Sequence, residues 1–400
     1  MKPLIRVTAT DASELTRALA AALDGGPAVW PVPATEAGAA GGAAGSSRSA
    51  KVAAEVDDRV ALVVETSGST DAPKRVLLSA DALVASADAT HDALGSTGQW
   101  LLALPGHYIA GAQVIVRGLV AGTETLALPA GAFDPAAFAE ASARMHDHVP
   151  HYTSLVPTQL ARLLDAAERD AFVGAALRSF DAVLVGGQAL APVLAERADA
   201  AGVRVLRTYG SSETAGGCVY DGTPIGDTAV RFVDGRIELS GSSLAEGYLD
   251  DPERTAAAFV VERGMRWYRT GDLGELDGAS GRLRVRGRAD DVMISGGVKV
   301  VLGEVERAVR RLHGFDAAVV VAVPDAEWGE RAAVVVATSV GDEASALLGL
   351  REATDAAGLG PAARPVRLVV ADPWPTLASG KPDRRALAAL AARAAAGGDG

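Results

Sequence analysis

The chain has a single cysteine, Cys218, among 400 residues. One thiol excludes an intrachain disulfide framework and any cysteine-based zinc cluster. Such cysteine usage is that of a reducing compartment, so a cytoplasmic protein is expected. Aromatic residues are also scarce, at 4%, so any core must be built mainly from aliphatic side chains. No apolar run is long enough to span a bilayer. Residues Met1 to Thr8 lack the apolar stretch and small-residue cleavage site of a signal peptide, so no integral membrane association is expected. Basic residues are outnumbered 38 to 50, for a net charge of −12. That balance argues against nonspecific binding to nucleic acid or anionic membranes, while leaving room for a local basic pocket. The Walker pattern G-x-x-x-x-G-K-[ST] is absent too.

What is present is a globular composition, 49% hydrophobic and 22% charged, in a chain long enough for two or three domains. Residues 11–24 read as a capped helix with Leu15, Leu19, Ala22 and Leu23 on one face, stopped by Gly25-Gly26. Residues 34–50 are largely Ala, Gly and Ser and read as a flexible tether. From Val60 a rhythm of apolar strand, small-residue loop and helix recurs, with strands expected at 60–64, 100–104, 124–128, 152–156, 182–185 and 203–206. Helices are expected to begin at Ser79, Gly111, Pro157 and Leu190. This alternation predicts α/β layers around a parallel sheet, with ligands beyond the carboxyl ends of the strands. From about Asp227 the pattern changes to short alternating segments separated by Gly and Asp, which read as a small antiparallel β unit. After Arg288 a compact α+β domain is expected, and no internal repeat is visible. The expected division is therefore 1–288 and 289–400.

Five segments carry chemistry. Thr66-Ser67-Gly68-Ser69-Thr70-Asp71-Ala72-Pro73-Lys74 combines hydroxyls, small residues and a cation, which suits a polyphosphate. Thr208-Tyr209-Gly210-Ser211-Ser212-Glu213-Thr214 offers an aromatic ring and a carboxylate. Asp272 lies in a tight turn, Arg288 and Asp290 join the two compositional halves, and Lys381 sits on a loop near the C-terminus. Taken singly, each has an ordinary structural explanation. Taken together and in this order, they resemble the acyl-adenylate-forming superfamily of acyl-CoA synthetases, adenylation domains and luciferases. The likeness runs from Thr66 to Lys381 and covers most of the chain.

The resemblance implies a two-domain fold with a mobile C-terminal domain, use of ATP, Mg²⁺ and coenzyme A, and a two-step reaction through an acyl-adenylate. It implies that Thr66, Ser67, Gly68, Ser69, Thr70 and Lys74 hold the β- and γ-phosphates. Asp71 stands where the family usually has glycine. Gly186, Gly187 and Gln188 would pack against adenine. In the next segment Thr208, Tyr209, Gly210, Ser212 and Thr214 would line the nucleotide, with Tyr209 stacking on the purine and Glu213 helping to hold the metal. Asp272 and Arg288 would bind the ribose, and Asp290 would be the hinge. Gly296 and Gly297 would meet the pantetheine arm, and Lys381 would bridge the reacting carboxylate and α-phosphate.

The segments Leu104 to Gly111 and Ser154 to Leu160 resemble the o-succinylbenzoate–CoA ligases of menaquinone biosynthesis, a compact subfamily. Only 65 residues precede Thr66, in keeping with it. The implied partners are a small carboxylic acid and coenzyme A, and a homodimer is compatible with the sequence. The alternatives are another aryl- or acyl-CoA ligase and an adenylation enzyme that loads a carrier protein. A substrate with a second carboxylate wants a donor or cation. His107, His151, Arg117 and Arg162 are the candidates. His107 is favoured to line the acyl pocket, whereas the two arginines, on presumed helices, are expected to face solvent.

Overall fold

The computed structural model describes residues 1–33, 55–66, 73–377 and 381–396. The expected tether at 34–50 and the phosphate-loop residues Ser67, Gly68, Ser69, Thr70 and Asp71 lie outside them. The chain divides into two compact units. One comprises Met1–Ala189, Ala198–Arg231 and Glu238–Thr270, the other Leu190–Arg197, Phe232–Ile237 and Gly271–Gly400.

Two sheets lie wholly within the first unit among its described residues. In one, the order is Thr223–Pro224, Gly216–Tyr220, Val205–Ser211, Ala182–Val185, His151–Leu155, Gln99–Leu102 and Leu126–Ala127. From Val205–Ser211 to Leu126–Ala127 every pairing is parallel, and the two strands at the other edge are antiparallel. Ala182–Val185 and His151–Leu155 are buried along their whole length, as strands covered on both faces must be. The predicted α/β layering is thus present.

The other sheet runs Gly247–Tyr248, Lys74–Ser79, Val60–Thr66, Ala28–Val32, Lys2–Thr8 and Glu55–Val56. Of its six strands only Val60–Thr66 has a counterpart in the sequence-based expectation. Lys2–Thr8 pairs in parallel with Ala28–Val32. Lys74–Ser79 pairs antiparallel with Val60–Thr66, so Lys74 begins a strand and stands directly opposite Thr66. Its two leading basic residues and short alternation, with Val76 and Leu78 buried, hid it behind the loop signal.

Helix Ala12–Leu23 starts where the Asp11 carboxylate accepts from the Glu14 amide at 2.9 Å. Helix Ala80–Leu94 starts where the Ser79 hydroxyl accepts from the Ala82 amide, and it ends at left-handed Gly95. Leu15, Leu19, Leu62, Leu83, Trp100 and Ile115 share one core.

In the second unit the sheet order is Val298–Val301, Val292–Ser295, Gly329–Val336 and Val319–Asp325, with Arg367–Val370 parallel to Gly329–Val336. Alternation along Val319–Asp325 sends Val320 into a core with Val305, Val309 and Leu350. Val319, Val321 and Val323 face the other way, toward Leu387 and Ala391 of helix Arg384–Ala396. Arg384 is the anchor of that helix. Its guanidinium reaches Glu306 at 2.8 Å, Asp291 at 3.0 Å and the Val320 carbonyl at 3.0 Å. Glu306 is shared with Arg310 at 2.8 Å.

Candidate active site

In the parallel sheet of the first unit, strands end at Leu102, Leu155, Val185 and Ser211. The expected motifs follow directly at those ends, the place where α/β sheets bind ligands. Gly186 approaches Thr208 so closely that a β-carbon there would lie 2.3 Å from its hydroxyl oxygen. The two strand ends are therefore held together by the absence of a side chain. Gly187 has a positive φ of 79° and is exposed, and Gln188 is half-buried.

Tyr209 is half-buried and pairs with Val219, and a bulge separates it from Gly210. Ser212, Glu213 and Thr214 form one buried turn of 3-10 helix. The Thr214 hydroxyl pins that turn, accepting from the Ser211 amide at 2.9 Å and lying 2.7 Å from the Gly216 carbonyl. Cys218 lies behind it, 3.8 Å from the Tyr209 carbonyl, with burial pushing its thiol up to about 12.

The Glu213 carboxylate accepts a hydrogen bond from the Tyr248 hydroxyl at 2.8 Å. The Lys74 ammonium stands 5.6 Å from the centre of the Tyr248 ring. Tyr248 was not singled out in the sequence. It thus sits between two predicted site residues, Lys74 and Glu213. Burial, with the Glu213 carboxylate second, raises its phenol above the ordinary range.

His107 is half-buried and packs against Tyr108 with ring centroids 4.2 Å apart and planes tilted at 49°, and burial lowers its imidazole below the ordinary value. Helix Ile109–Ala121 follows, buried nearly all round.

Arg117, on this helix, overturns the expectation of a solvated arginine: it is 3% exposed. Its guanidinium lies over the Trp100 ring at 5.0 Å and donates two long hydrogen bonds of 3.5 Å, to the Ser154 and Tyr220 hydroxyls. Its Nε has no hydrogen-bond partner, and among the described residues no carboxylate pairs with it. Burial lowers its guanidinium from the usual value.

The other two candidates for a second carboxylate fall away. Arg162 is exposed on helix Pro157–Ala167. His151 opens its strand at the end opposite the ligand edge, with its ring nitrogen Nε2 on the His146 carbonyl at 3.0 Å.

Within the second unit, Asp272 and Arg288 are cross-strand partners 3.3 Å apart, and Arg288 also reaches Asp290 at 3.0 Å. Gly296 and Gly297 are the two left-handed residues of the hairpin turn between Ser295 and Val298, with φ of 57° and 80°. A β-carbon on Gly296 would meet the Trp328 ring at 2.7 Å. The Lys381 carbonyl accepts from the Leu377 amide at 2.8 Å, beside a bridge between Thr376 and Pro382. The Lys381 side chain is exposed, yet partial desolvation holds its ammonium below the usual lysine value.

A parallel sheet with these loops at its carboxyl edge, followed in the sequence by a small unit that carries Lys381, is the arrangement of a nucleotide-dependent acid-activating enzyme. The chain belongs to the AMP-binding enzyme family, whose model matches residues 4–249. Within the acyl-adenylate-forming superfamily it is an AMP-forming ligase closely related to the o-succinylbenzoate–CoA ligases. It is 41% identical over 340 residues to a probable 2-succinylbenzoate–CoA ligase of Mycobacterium tuberculosis (strain ATCC 25618 / H37Rv), covering 84% of this chain and 86% of that protein. It is 30% identical to the 2-succinylbenzoate–CoA ligase of Enterococcus faecalis (strain ATCC 700802 / V583), covering 81% of this chain and 68% of that one. Among solved structures, a variant of E. coli MenE with bound OSB-AMS matches with a TM-score of 0.73 at 26% identity, covering 98% of this chain and 88% of the other. Among the described residues, no helix is long and apolar enough to cross a membrane.

Proposed function

We propose that the chain adenylates 2-succinylbenzoate with ATP and transfers the acyl group to coenzyme A, in the cytoplasm. The observation that carries the choice of acid is Arg117. A buried cation whose neighbours are an aromatic ring and two neutral hydroxyls, with no carboxylate paired to it among the described residues, calls for an anion. The acid to be activated spends one carboxylate on the reaction. Arg117, ten residues after His107, suits a second carboxylate on the same molecule.

In the first step a carboxylate oxygen attacks the α-phosphorus, the bond from that phosphorus to the bridging oxygen breaks, and pyrophosphate leaves. In the second the thiol sulfur attacks the acyl carbon, the bond to the phosphate oxygen breaks, and AMP leaves. Both partners of the first step are anions, so positive charge must be supplied where they meet.

On this reading Thr66 and Lys74, with Ser67 to Thr70, hold the β- and γ-phosphates. Gly186 to Gln188 and Thr208 to Gly210 flank adenine, with Tyr209 on its face. Ser212 and Thr214 fix the turn that presents Glu213, and Asp272 and Arg288 take the ribose. His107 lines the acyl site as a neutral ring. Glu213 fits a magnesium ligand: it is a buried carboxylate, and the Tyr248 hydroxyl engages one of its two oxygens. Magnesium keeps several waters and takes one or two carboxylates beside phosphate oxygens, so no larger acidic cluster is required. When bound, it would supply charge neutralisation on the triphosphate.

The test is turnover of the full chain with ATP and coenzyme A over a panel of acids. CoA-dependent AMP release is expected with 2-succinylbenzoate and not with benzoate, a fatty acid or amino acids. Turnover confined to those others would overturn the choice of acid.

We further propose that residues 289–400 move as a body about Asp290, presenting Lys381 for adenylation and the Gly296-Gly297 turn for thioester formation. Asp290→Pro fixes φ near −65°. It should slow the thioester step at least tenfold more than adenylation, measured as separate half-reactions. Equal slowing of both contradicts the hinge.

A further inference from the structure

We propose that Tyr248 is a positioning residue for the Glu213 carboxylate, setting which oxygen that carboxylate offers to the metal of the nucleotide site. The inference rests on the reading of Glu213 as the magnesium ligand. A glutamate side chain has three torsions and, on a one-turn segment, little to fix them. Here the backbone of Glu213 is held by the Ala245 amide donating to its carbonyl at 2.8 Å. Its side chain is held by the Tyr248 hydroxyl at 2.8 Å.

Tyr248 itself is immobilised from three sides. Its two-residue strand pairs with Lys74–Ser79, with Tyr248 opposite Val76. Its amide donates to the Thr255 hydroxyl at 2.9 Å. Its ring packs on Phe259 with centroids 6.0 Å apart and is 5% exposed. A charge-assisted hydrogen bond from so rigid a donor leaves the carboxylate one preferred orientation. The strand that carries Lys74 is thereby joined, through Tyr248, to the turn that carries Glu213, although 139 positions separate those two residues in the chain.

The competing role is purely structural, with Tyr248 serving to seat its strand. Tyr248→Phe separates the two, because it keeps the ring and removes only the hydroxyl. The experiment is Mn²⁺ titration of the full chain with ATP present, read by the electron paramagnetic resonance of free Mn²⁺. AMP binding without metal, by calorimetry, is the control. Outer partners of metal ligands are worth about 10–100-fold in affinity. Tyr248→Phe is therefore expected to raise the Mn²⁺ dissociation constant about tenfold while leaving metal-free AMP affinity within about twofold. Glu213→Gln should weaken Mn²⁺ at least as much, and adding Tyr248→Phe to it should change nothing further. Wild-type Mn²⁺ affinity in Tyr248→Phe, or an equal loss of metal-free AMP affinity, overturns the positioning role. Unchanged Mn²⁺ affinity in Glu213→Gln instead overturns the metal-ligand reading on which it rests.

Discussion

Replacing Lys381 by alanine is expected to slow acyl-adenylate formation by about 10²–10³-fold, the effect of removing one preorganised charge or donor from a developing anionic centre. Thiolysis of supplied acyl-adenylate should stay within about threefold of wild type. The asymmetry follows from the chemistry. Only the first half-reaction forces a carboxylate and a phosphate together, and only there does a bridging cation act on both. The second brings a thiol to an already neutralised acyl carbon. The Leu377 amide donates to the Lys381 carbonyl at 2.8 Å and the Asp383 amide to the Pro375 carbonyl at 3.0 Å, joining the chain before and after Lys381. Just beyond it, Arg384 is fastened to Glu306 and Asp291. Rapid quench with labelled ATP measures the first step, and AMP release from synthetic acyl-adenylate plus coenzyme A measures the second. A comparable loss in both steps would show that Lys381 holds the fold or the nucleotide generally.

The second large effect is expected at Arg117. Arg117→Met should lower kcat/KM for 2-succinylbenzoate by about 10²-fold or more, since losing a buried charged partner leaves the ligand carboxylate desolvated and unmatched. For 4-oxo-4-phenylbutanoate, which lacks the ring carboxylate, kcat/KM should stay the same or rise. The stability readout points the other way. Breaking a matched buried pair is strongly destabilising, but here the guanidinium has only the Trp100 ring and two long hydroxyl contacts and no paired carboxylate among the described residues, so an apolar side chain of similar length should leave the ligand-free enzyme as stable as wild type or more so. Thermal unfolding without ligands checks this. Equal loss toward both acids, with a less stable protein, would make Arg117 a structural residue.

The parts of this molecule legible in the sequence are those written locally. Ser79 marks a helix start, the glycines after Val185 mark a strand end, and the order of motifs from Thr66 to Lys381 marks the family. What escaped depends on residues far apart in the chain. Lys74–Ser79 is too short and too basic at its start to read as a strand, and only pairing with Val60–Thr66 makes it one. Tyr248 owes its place to two partners, Val76 and Glu213, neither of them nearby in sequence. Arg117 offered a signal that was missed. Helix Ile109–Ala121 is apolar on all sides except at Gln113 and Arg117, which share a face. A helix with no polar face is a buried helix, and a charge within it is a buried charge.

That buried charge also bears on how long the protein survives. A ligand that binds only the folded chain stabilises it by mass action, about 2.7 kcal/mol when present at 100 times its dissociation constant. An acid that supplies the missing counter-charge to Arg117 would bind the folded state alone, because the unfolded chain leaves its arginines in water. Resistance to heat and to proteolysis would then follow the supply of substrate, and the enzyme would be most vulnerable when it has nothing to convert.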